Sequence, residues 1–413
     1  MSTPNNPDDL NPANSRRSFL RYASLLAAAP IFTEAHFALA AQQAAGAQNS
    51  GQVPRRQPHN AMPSDAVLIN ANENPLGPCK AACEKIASIA PLGGRYDILG
   101  ETDKLTKTFA AQHNLKEDYI AVYAGSSEPL HYTVLAFTSP SKGLVTADPS
   151  YEAPMRAAQV TQARITKVPL TPTYAHDVKA LVAADPNAGV IYICNPNNPT
   201  GTITSKADIV WALENKPKGS ILLVDEAYIH LSDATDVLDL VAAGKDLVVL
   251  RTFSKIYGMA GIRCGFALGR PDLLKQLQPF GQNPMPITGS GAANVSLLDP
   301  ELIPTRKKII ADNRCDTLAW LKTNNYKVIG DSQSNCFMID TGRNGQAVIA
   351  AMRDKNVYIG RTWPIWPNAV RISVGTKEEM AKFRTAFKQV MDAPVSAELI
   401  EPMPDPLTHR YNA

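Results

Sequence analysis

The stretch of sequence that decides the fold reads LVVLRTFSKIYGMAGIRCG at residues 247–265. Its first part, Leu247–Arg251, is a nearly continuous apolar run, which is typical of a strand buried in a parallel sheet. Lys255 follows this run after the hydroxyl-bearing Thr252 and Ser254. We therefore expect an amine at the end of a buried strand.

Two apolar runs upstream also end in polar residues. Gly189–Cys194 is followed by NPNNPTG at residues 195–201, and Ser220–Val224 is followed by DEAY at residues 225–228. Ligands bind beyond the carboxyl ends of the strands in an open α/β sheet. The three runs therefore predict one sheet edge that carries an amide, a carboxylate with a phenol, and a lysine.

The sequence around these runs predicts an α/β fold class with a mostly parallel sheet between helices. Further strand candidates are Tyr119–Tyr123, Gly143–Thr146 and Ile262–Leu268, and helical patterns such as Lys206–Asn215 and Pro271–Leu277 lie between strands. Regular alternation of strands and helices is the pattern of a parallel sheet with crossover helices.

The order of predicted helices and strands changes near residue 300, where a smaller α+β domain is expected to begin. A long helical pattern at 300–325 is followed by short strands and by a last helix, Lys377–Met391. The expected strands are Lys327–Ile329, Cys336–Ile339 and Val370–Val374. Including the chain ends, the predicted segments are an export signal at 1–40, a linker at 41–65, an N-terminal segment at 66–95, a large domain at 96–299, a small domain at 300–393 and a tail at 394–413.

The amino terminus has the order of features that is typical of an export signal. The pair Arg16-Arg17 precedes a short apolar stretch at 22–32, and Ala38-Leu39-Ala40 matches a cleavage site with small residues. Consecutive arginines followed by Phe-Leu resemble the twin-arginine signal. This interpretation predicts a periplasmic or secreted protein; the alternative is a basic amphipathic helix of the mature chain.

Composition excludes several classes of protein. The 413 residues are 45% hydrophobic, and 41 basic against 38 acidic residues leave a net charge of +3. This balance gives no electrostatic signal for a nucleic acid partner. Six scattered cysteines without a CxxC pair favour neither a disulfide scaffold nor a metal site. The apolar stretch near the amino terminus is too short for stable membrane insertion.

The side chains expected at the sheet edge suit one cofactor. A lysine amine can bind an aldehyde, and a carboxylate beside a pyridine nitrogen keeps that nitrogen protonated. An amide and a phenol stabilise a ring oxygen, whereas hydroxyl groups and an arginine bind a phosphate. Together these groups indicate a site for pyridoxal 5′-phosphate.

The motifs also resemble a known family. NPNNPTG, DEAY and TFSKIYGMAGIRCG are similar to the signature of fold-type I, class I/II aminotransferases, in particular the histidinol-phosphate aminotransferase branch. The resemblance covers roughly residues 68–392 and includes NENPLGP at 72–78 and RISVGT at 371–376. It implies the fold-type I architecture, with a large cofactor-binding domain, a small domain and a homodimer.

The resemblance implies a role for each matching residue. Lys255 would form the Schiff base and move the substrate proton, Asp225 would pair with the pyridinium nitrogen, and Tyr228 would bond the ring oxygen. The implied cofactor contacts are Gly125, Ser126, Ser127, Tyr151, Asn198, Asp225, Tyr228, Thr252, Ser254, Lys255, Arg263 and, from the neighbouring subunit, Tyr96. The implied substrate contacts are Arg371, Asn198 and Asn335.

The sequence departs from the family pattern at three places. Ser127 stands where the family commonly has Asp, and Asp97 follows Tyr96 where proline is usual. The segment GRTWPIWP at 360–367 adds two tryptophans close to Arg371. Its Arg361 is either a second anion contact for the substrate or a residue at a strand end. These departures speak against histidinol phosphate as the substrate.

The predicted function is transfer of an amino group between an amino acid and a 2-oxo acid, outside the cytoplasm. Two alternatives stay open at this point. The same site could support a pyridoxal-phosphate-dependent oxidase, decarboxylase, racemase or lyase, because the geometry of the bound substrate decides the outcome. The remote alternative is a cofactor-binding protein without catalytic activity.

Overall fold

A computed structural model describes residues 63–281 and 283–394. The predicted export signal, the predicted linker up to residue 62 and the tail after residue 394 lie outside the described residues. No helix in the described ranges is long and apolar enough to cross a membrane.

The centre of the molecule is a seven-stranded mixed sheet. Its strand order is β2-β8-β7-β6-β5-β3-β4, and all neighbours are parallel except the pairs that β8 makes. The strands are β2 (Ile120–Tyr123), β3 (Gly143–Asp148), β4 (Ile165–Pro169), β5 (Ala188–Cys194), β6 (Ile221–Asp225), β7 (Leu247–Thr252) and β8 (Gly265–Leu268). The predicted α/β class with a mostly parallel sheet is confirmed.

Strand β8 runs antiparallel to both of its neighbours. Residues 253–264 join it to β7 without a helix, whereas the crossover between parallel strands usually contains one. The strand starts at Gly265 rather than at the predicted Ile262, since Arg263 has a left-handed backbone with φ of 69°. The connecting loop therefore stays at the sheet edge together with Lys255.

Twelve α-helices lie in the described ranges. They are α1 (Lys80–Ile89), α2 (Glu101–His113), α3 (Ser127–Phe137), α4 (Ala153–Val160), α5 (Val178–Ala183), α6 (Lys206–Asn215), α7 (Leu238–Ala242), α8 (Pro271–Lys275), α9 (Ile287–Leu297), α10 (Leu302–Thr323), α11 (Gly345–Arg353) and α12 (Lys377–Asp392). Local sequence sets several of their starts. Ser205 caps α6 by accepting from the Asp208 N–H, and Thr376 and Glu379 form a capping box on α12.

A second, three-stranded antiparallel sheet lies wholly after residue 300. It has the order β12-β10-β9 and consists of β9 (Lys327–Ile329), β10 (Cys336–Asp340) and β12 (Ala369–Ser373). These strands match the predicted ones to within a residue at each end.

One pairing joins the two ends of the described chain. Strand β1 (Val67–Ile69) runs parallel to β11 (Val357–Ile359), so residues close to the start of the body lie against residues close to its end. The sequence did not predict this pair. It matters for the site because residues 70–73 follow β1 directly and border the same cavity as the sheet edge.

The core explains why the strand ends are positioned so firmly. Strands β5, β6 and β7 are buried along their whole length, and Val190, Leu223 and Val249 are fully covered. Complete burial of a run of branched side chains fixes both the register and the height of each strand. The polar residues after each run are held correspondingly rigidly.

Candidate active site

The carboxyl ends of β5, β6 and β7 meet at one cavity of about 390 Å³. Asp225, the last residue of β6, lies in register with Cys194 on one side and Leu250 on the other. The cavity is bordered by the predicted Asn198, Asp225, Tyr228 and Lys255. The structure therefore brings together the amide, carboxylate, phenol and amine that the three strand ends predicted.

Lys255 borders the cavity with its amine held by the backbone. Its Nζ donates to the Asn72 carbonyl oxygen at 3.0 Å and lies 5.5 Å from the centre of the Tyr228 ring. Burial, with the Arg371 charge as a second cause, lowers the pKa of Lys255 to about 8. Near that pH a large share of the amine is neutral, which is the form that attacks an aldehyde or accepts a proton.

Asp225 is buried but well supported. Its Oδ2 accepts from the Tyr192 hydroxyl at 3.0 Å, and its Oδ1 accepts from the Ala227 N–H at 3.1 Å. Burial nevertheless raises the pKa of Asp225 to about 6. The carboxylate is thus held in a fixed orientation in surroundings that favour an added cation.

Tyr228 and Asn198 face the cavity from the turns after β6 and β5. The Tyr228 oxygen accepts from the Asn72 side-chain amide at 3.1 Å, and burial raises the pKa of Tyr228 well above its ordinary value. Its phenol therefore keeps its proton and can donate. Asn198 Oδ1 accepts from Arg371 Nη1 at 2.9 Å.

The turn that carries Asn198 is fixed by its own asparagines. Asn195 accepts from the Thr204 N–H at 2.9 Å and donates to the Thr204 carbonyl at 3.0 Å. Asn197 donates to the Thr200 hydroxyl at 2.9 Å. Asparagine side chains that bind nearby backbone and hydroxyl groups stabilise turns. Asn198 is thereby held at the cavity wall.

Hydroxyl groups and a guanidinium gather on one side of the cavity. Arg263 Nη1 donates to the Ser254 hydroxyl at 3.3 Å, and the Thr252 hydroxyl donates to Ser254 Oγ at 3.0 Å. Ser126 and Ser127 border the same side, at the N-terminus of α3. A helix N-terminus, hydroxyl groups and a guanidinium together make a strong phosphate-binding set.

Gly125 keeps this corner open. Its φ is 98°, and a Cβ on it would clash with Arg263 Nη2. A residue with a side chain would be strained at this φ and would push the guanidinium aside. The phosphate-binding set thus depends on a residue that has no side chain.

Three predicted residues occupy the remaining wall. Tyr151, Arg361 and Arg371 all border the cavity. Arg371 is buried, donates to Asn198 and to the Asn70 carbonyl (2.6 Å), and has no carboxylate among its described partners. A buried guanidinium that meets only neutral oxygens leaves its positive charge available to an anion.

Two predicted residues lie elsewhere. Tyr96 is 81% exposed and does not border the cavity of its own chain. Asn335 is buried behind the cavity wall, where its side-chain amide donates to the carbonyls of Asn72 (3.0 Å) and Glu73 (3.3 Å). Asn335 therefore supports the same carbonyl that accepts from Lys255.

Sequence reasoning missed several residues that complete the site. Asn72 bonds Lys255, Tyr228 and Ser373 at once, and Tyr192 orients Asp225. Tyr192 carries a weak signal, because it is the one hydroxyl-bearing residue in the apolar run 190–194. Asn72 lies in the quoted NENPLGP motif, but nothing in the sequence places it beside residues more than 150 positions away.

The donor set fits pyridoxal 5′-phosphate. The cradle of Arg263, Ser254 and Gly125 suits a phosphate, Asp225 suits a protonated ring nitrogen, and the amine of Lys255 suits an aldehyde. The uncompensated Arg371 suits the carboxylate of a second molecule. Fold and site together thus define an enzyme that binds this cofactor and an acidic small molecule side by side.

The family comparison agrees with this class. The family described as "Aminotransferase class I and II" matches residues 64–387, and the chain belongs to it. It is a pyridoxal-phosphate-dependent aminotransferase of fold-type I, as the sequence motifs predicted.

The chain is similar to several individual members of the family, which have more than one named activity. The chain is 29% identical to the histidinol-phosphate aminotransferase of Moorella thermoacetica over 79% of this chain and 86% of that protein. It is 30% identical to the aromatic amino acid aminotransferase of Cutibacterium acnes, over 79% and 93%. The solved histidinol-phosphate aminotransferase of Sinorhizobium meliloti, in complex with pyridoxal 5′-phosphate, shares the fold with a TM-score of 0.72 at 24% identity, covering 79% and 91%.

Proposed function

We propose that this enzyme moves the amino group of an α-amino acid to a 2-oxo acid, using Lys255 and Arg371 as its two central residues, as an exported homodimer. The observation that carries the proposal is the presence in one cavity of two groups: a lysine whose pKa is lowered to about 8, and a guanidinium that meets no carboxylate in the part of the chain that the structure describes. An α-amino acid presents the matching amino and carboxylate groups on one carbon.

The cofactor, when bound, supplies an electron sink that makes the Cα proton of the substrate acidic. Lys255 accepts that proton and returns it, since its amine is partly neutral near pH 8. Arg371 binds the substrate carboxylate through its fork of donors, and Asn198, which already bonds it, keeps it in place. Asn72 and Tyr228 limit the positions that the Lys255 amine can take.

The same proposal assigns the cofactor contacts. Arg263, Ser254, Thr252, Ser126 and Ser127 hold the phosphate, while Asp225 keeps the ring nitrogen protonated. Tyr228 and Asn198 donate to the ring oxygen. A further pair, Tyr151 and the partner-directed Tyr96, contacts ring and phosphate.

A substrate panel tests the reaction. Purified enzyme is mixed with each amino acid in turn, and cofactor absorbance, oxygen uptake and ammonia release are followed together. We expect conversion to the aminated cofactor without oxygen uptake, reversed by a 2-oxo acid. Oxygen consumption with stoichiometric ammonia would instead make the enzyme an oxidase.

The homodimer with shared sites is supported by the exposed surface around Tyr96. Ile98 is 67% exposed next to it, so two large apolar side chains project from one short segment without cover in the single chain. Apolar groups in such a cluster favour burial against a partner. A second copy that covers this segment would bring Tyr96 towards a site other than its own.

Subunit mixing tests this arrangement. If Tyr96→Ala alone is severely impaired, mixing it with Lys255→Ala chains gives heterodimers with one doubly damaged site and one intact site. Activity per heterodimer should rise towards half of the wild-type value. Absence of rescue, with heterodimers confirmed by differential tags, would return Tyr96 to a role within its own chain.

Export is supported by the order of arginine pair, apolar stretch and cleavage motif at residues 15–40. A twin-arginine route carries folded proteins, so the cofactor can be bound before transport. All six cysteines lie within the described residues, and they form no disulfide with one another there. Changing Arg16 and Arg17 to lysine should leave folded precursor in the cytoplasm, and fractionation showing unimpaired export would contradict the route.

A further inference from the structure

One indole ring lies against two of the four arginines that border the cavity, Arg361 and Arg371. Trp363 is fully buried, and its Nε1 donates to the Ser150 carbonyl at 3.2 Å. The guanidinium of Arg361 lies 4.4 Å from the ring centre, and that of Arg371 lies 5.6 Å from it. Guanidinium groups at this distance are attracted to the face of an indole. Trp363 therefore fixes where the two positive charges stand relative to each other.

The two arginines differ in what neutralises them. Among the described residues, Arg371 bonds only neutral oxygens, those of Asn198 and Asn70. Arg361 forms an ion pair with Glu152, with 2.5 Å between Nη1 and Oε2, and both side chains are mostly covered. Of the two guanidinium groups against Trp363, that of Arg371 thus meets only neutral oxygens among the described residues, and that of Arg361 is paired with a carboxylate of the same chain.

The Glu152 side chain is not used to cap the helix that it precedes. Glu152 is the N-cap residue of α4, directly after the predicted ring-stacking Tyr151. Its side chain makes no capping hydrogen bond, although N-cap residues are usually short polar ones that do. The carboxylate is directed instead to Arg361, a residue 209 positions away.

We propose that Glu152 is a specificity-determining residue, whose carboxylate occupies the place on Arg361 that an anionic substrate side chain would take. The inference rests on the proposed function. A substrate with an acidic side chain must displace Glu152 or lie beside it, which leaves one carboxylate unpaired or two in contact. A neutral side chain leaves the pair intact, so the site favours amino acids with uncharged side chains.

The test removes the charge of Glu152 without changing its shape. We expect Glu152→Gln to raise kcat/KM for L-glutamate relative to L-glutamine about tenfold, the scale of one charged hydrogen bond. The two substrates have the same size, so their ratio cancels changes in folding or cofactor content. Asp148→Asn is the matched control, because Asp148 lies in the same segment but pairs with Lys167. The control should leave the ratio unchanged.

A binding measurement separates this proposal from the reaction itself. Calorimetric titration of the cofactor-loaded proteins with glutarate and with pentanoate needs no turnover. We expect the affinity ratio to move towards glutarate in Glu152→Gln, and the gain to vanish when Arg361→Gln is added. An unchanged ratio in Glu152→Gln, or a gain that persists without Arg361, would overturn the proposal. Failure of every amino acid to react would overturn the proposed function while this ratio still reports on Glu152.

Discussion

The cavity is built from two halves that the chain assembles in different ways. The half towards the large sheet consists mainly of residues that directly follow β5, β6 and β7, and the buried strand before each of them fixes its position. Ser126 and Ser127, which follow β2, complete this half. The opposite half comes from residues 70–73 and 361–371, which are held by contacts between distant parts of the chain. Asn198 and Arg371 meet at the boundary.

The difference indicates which half of the cavity is fixed by the fold and which half single substitutions can change. A strand end moves only if the core moves, so the half that suits the cofactor is rigid and locally encoded. The other half depends on a few side-chain contacts such as the Arg361–Glu152 pair, and single substitutions can change it without disturbing the sheet. We therefore expect substitutions in the two halves to produce different kinds of loss.

Lys255→Ala should have the largest effect. Turnover should fall by more than about a thousandfold, because both the attacking amine and the proton carrier are lost. Phosphate and ring contacts are untouched, so the protein should keep its fold and much of its affinity for the cofactor. Activity assays, circular dichroism and cofactor titration check this expectation. Multiple turnovers at an appreciable rate would contradict it.

The sequence predicted the cofactor half well because local rules determine it. An apolar run followed by Asn198, by Asp225 or by Lys255 can be recognised without knowing what lies opposite, since parallel neighbours end at the same edge. The fold class, the family and the cofactor follow from those runs and motifs. All three predictions are confirmed.

The substrate half was only partly predictable, because its contacts join residues far apart in the sequence. Arg371 was found through its motif, but its bond to the Asn70 carbonyl spans 301 positions. Glu152 carried no signal, since a single acidic residue at a helix start is ordinary. The sequence allows two interpretations of Arg361, and neither includes its ion pair with Glu152.

Arg371→Ala should have the second largest effect, and it should weaken the use of substrate without weakening cofactor binding. We expect kcat/KM for amino acids to drop by about 2–5 kcal/mol, the scale for truncating one partner of a buried charged pair. Arg371→Lys should recover only part of this loss, because the fork of donors is missing. Steady-state kinetics check both variants. An unchanged kcat/KM would show that another residue holds the carboxylate.

Gly125→Ala should give a smaller loss that falls on the cofactor half. The new Cβ would clash with Arg263 Nη2, so the guanidinium must move and the phosphate set is distorted. We expect cofactor affinity to weaken about tenfold, or ~1.4 kcal/mol. Gly342→Ala is the control, since Gly342 also has a positive φ (63°) but its Cβ would meet nothing within 4 Å. Equal cofactor affinities for the two variants would contradict the contact.

The smallest expected effect is a shift in the pH dependence of cofactor capture, caused by the charge of Arg371 in the opposite half. The pKa of Lys255 is lowered to about 8 by burial first and by Arg371 second. Capture of pyridoxal 5′-phosphate by the cofactor-free protein should therefore speed up as pH rises through about 8, followed by absorbance. Arg371→Gln removes a positive charge, so the midpoint should move to higher pH, whereas Arg361→Gln should leave it in place because Glu152 already neutralises that arginine.

The free energy of unfolding should also depend on pH through Lys255, and the direction of this dependence follows from the shift in its pKa. The pKa of Lys255 is lower in the folded protein than the ordinary value of 10.5, so the unfolded chain binds the extra proton. The contribution of this lysine to the free energy of unfolding is therefore present above pH 10.5 and lost as pH falls towards 8. Arg371→Gln should shrink that loss, because in this variant the pKa of Lys255 in the folded protein lies closer to its value in the unfolded chain. If the capture midpoints of wild type and Arg371→Gln coincide, the two halves are not coupled through this charge, and burial alone sets the pKa of Lys255.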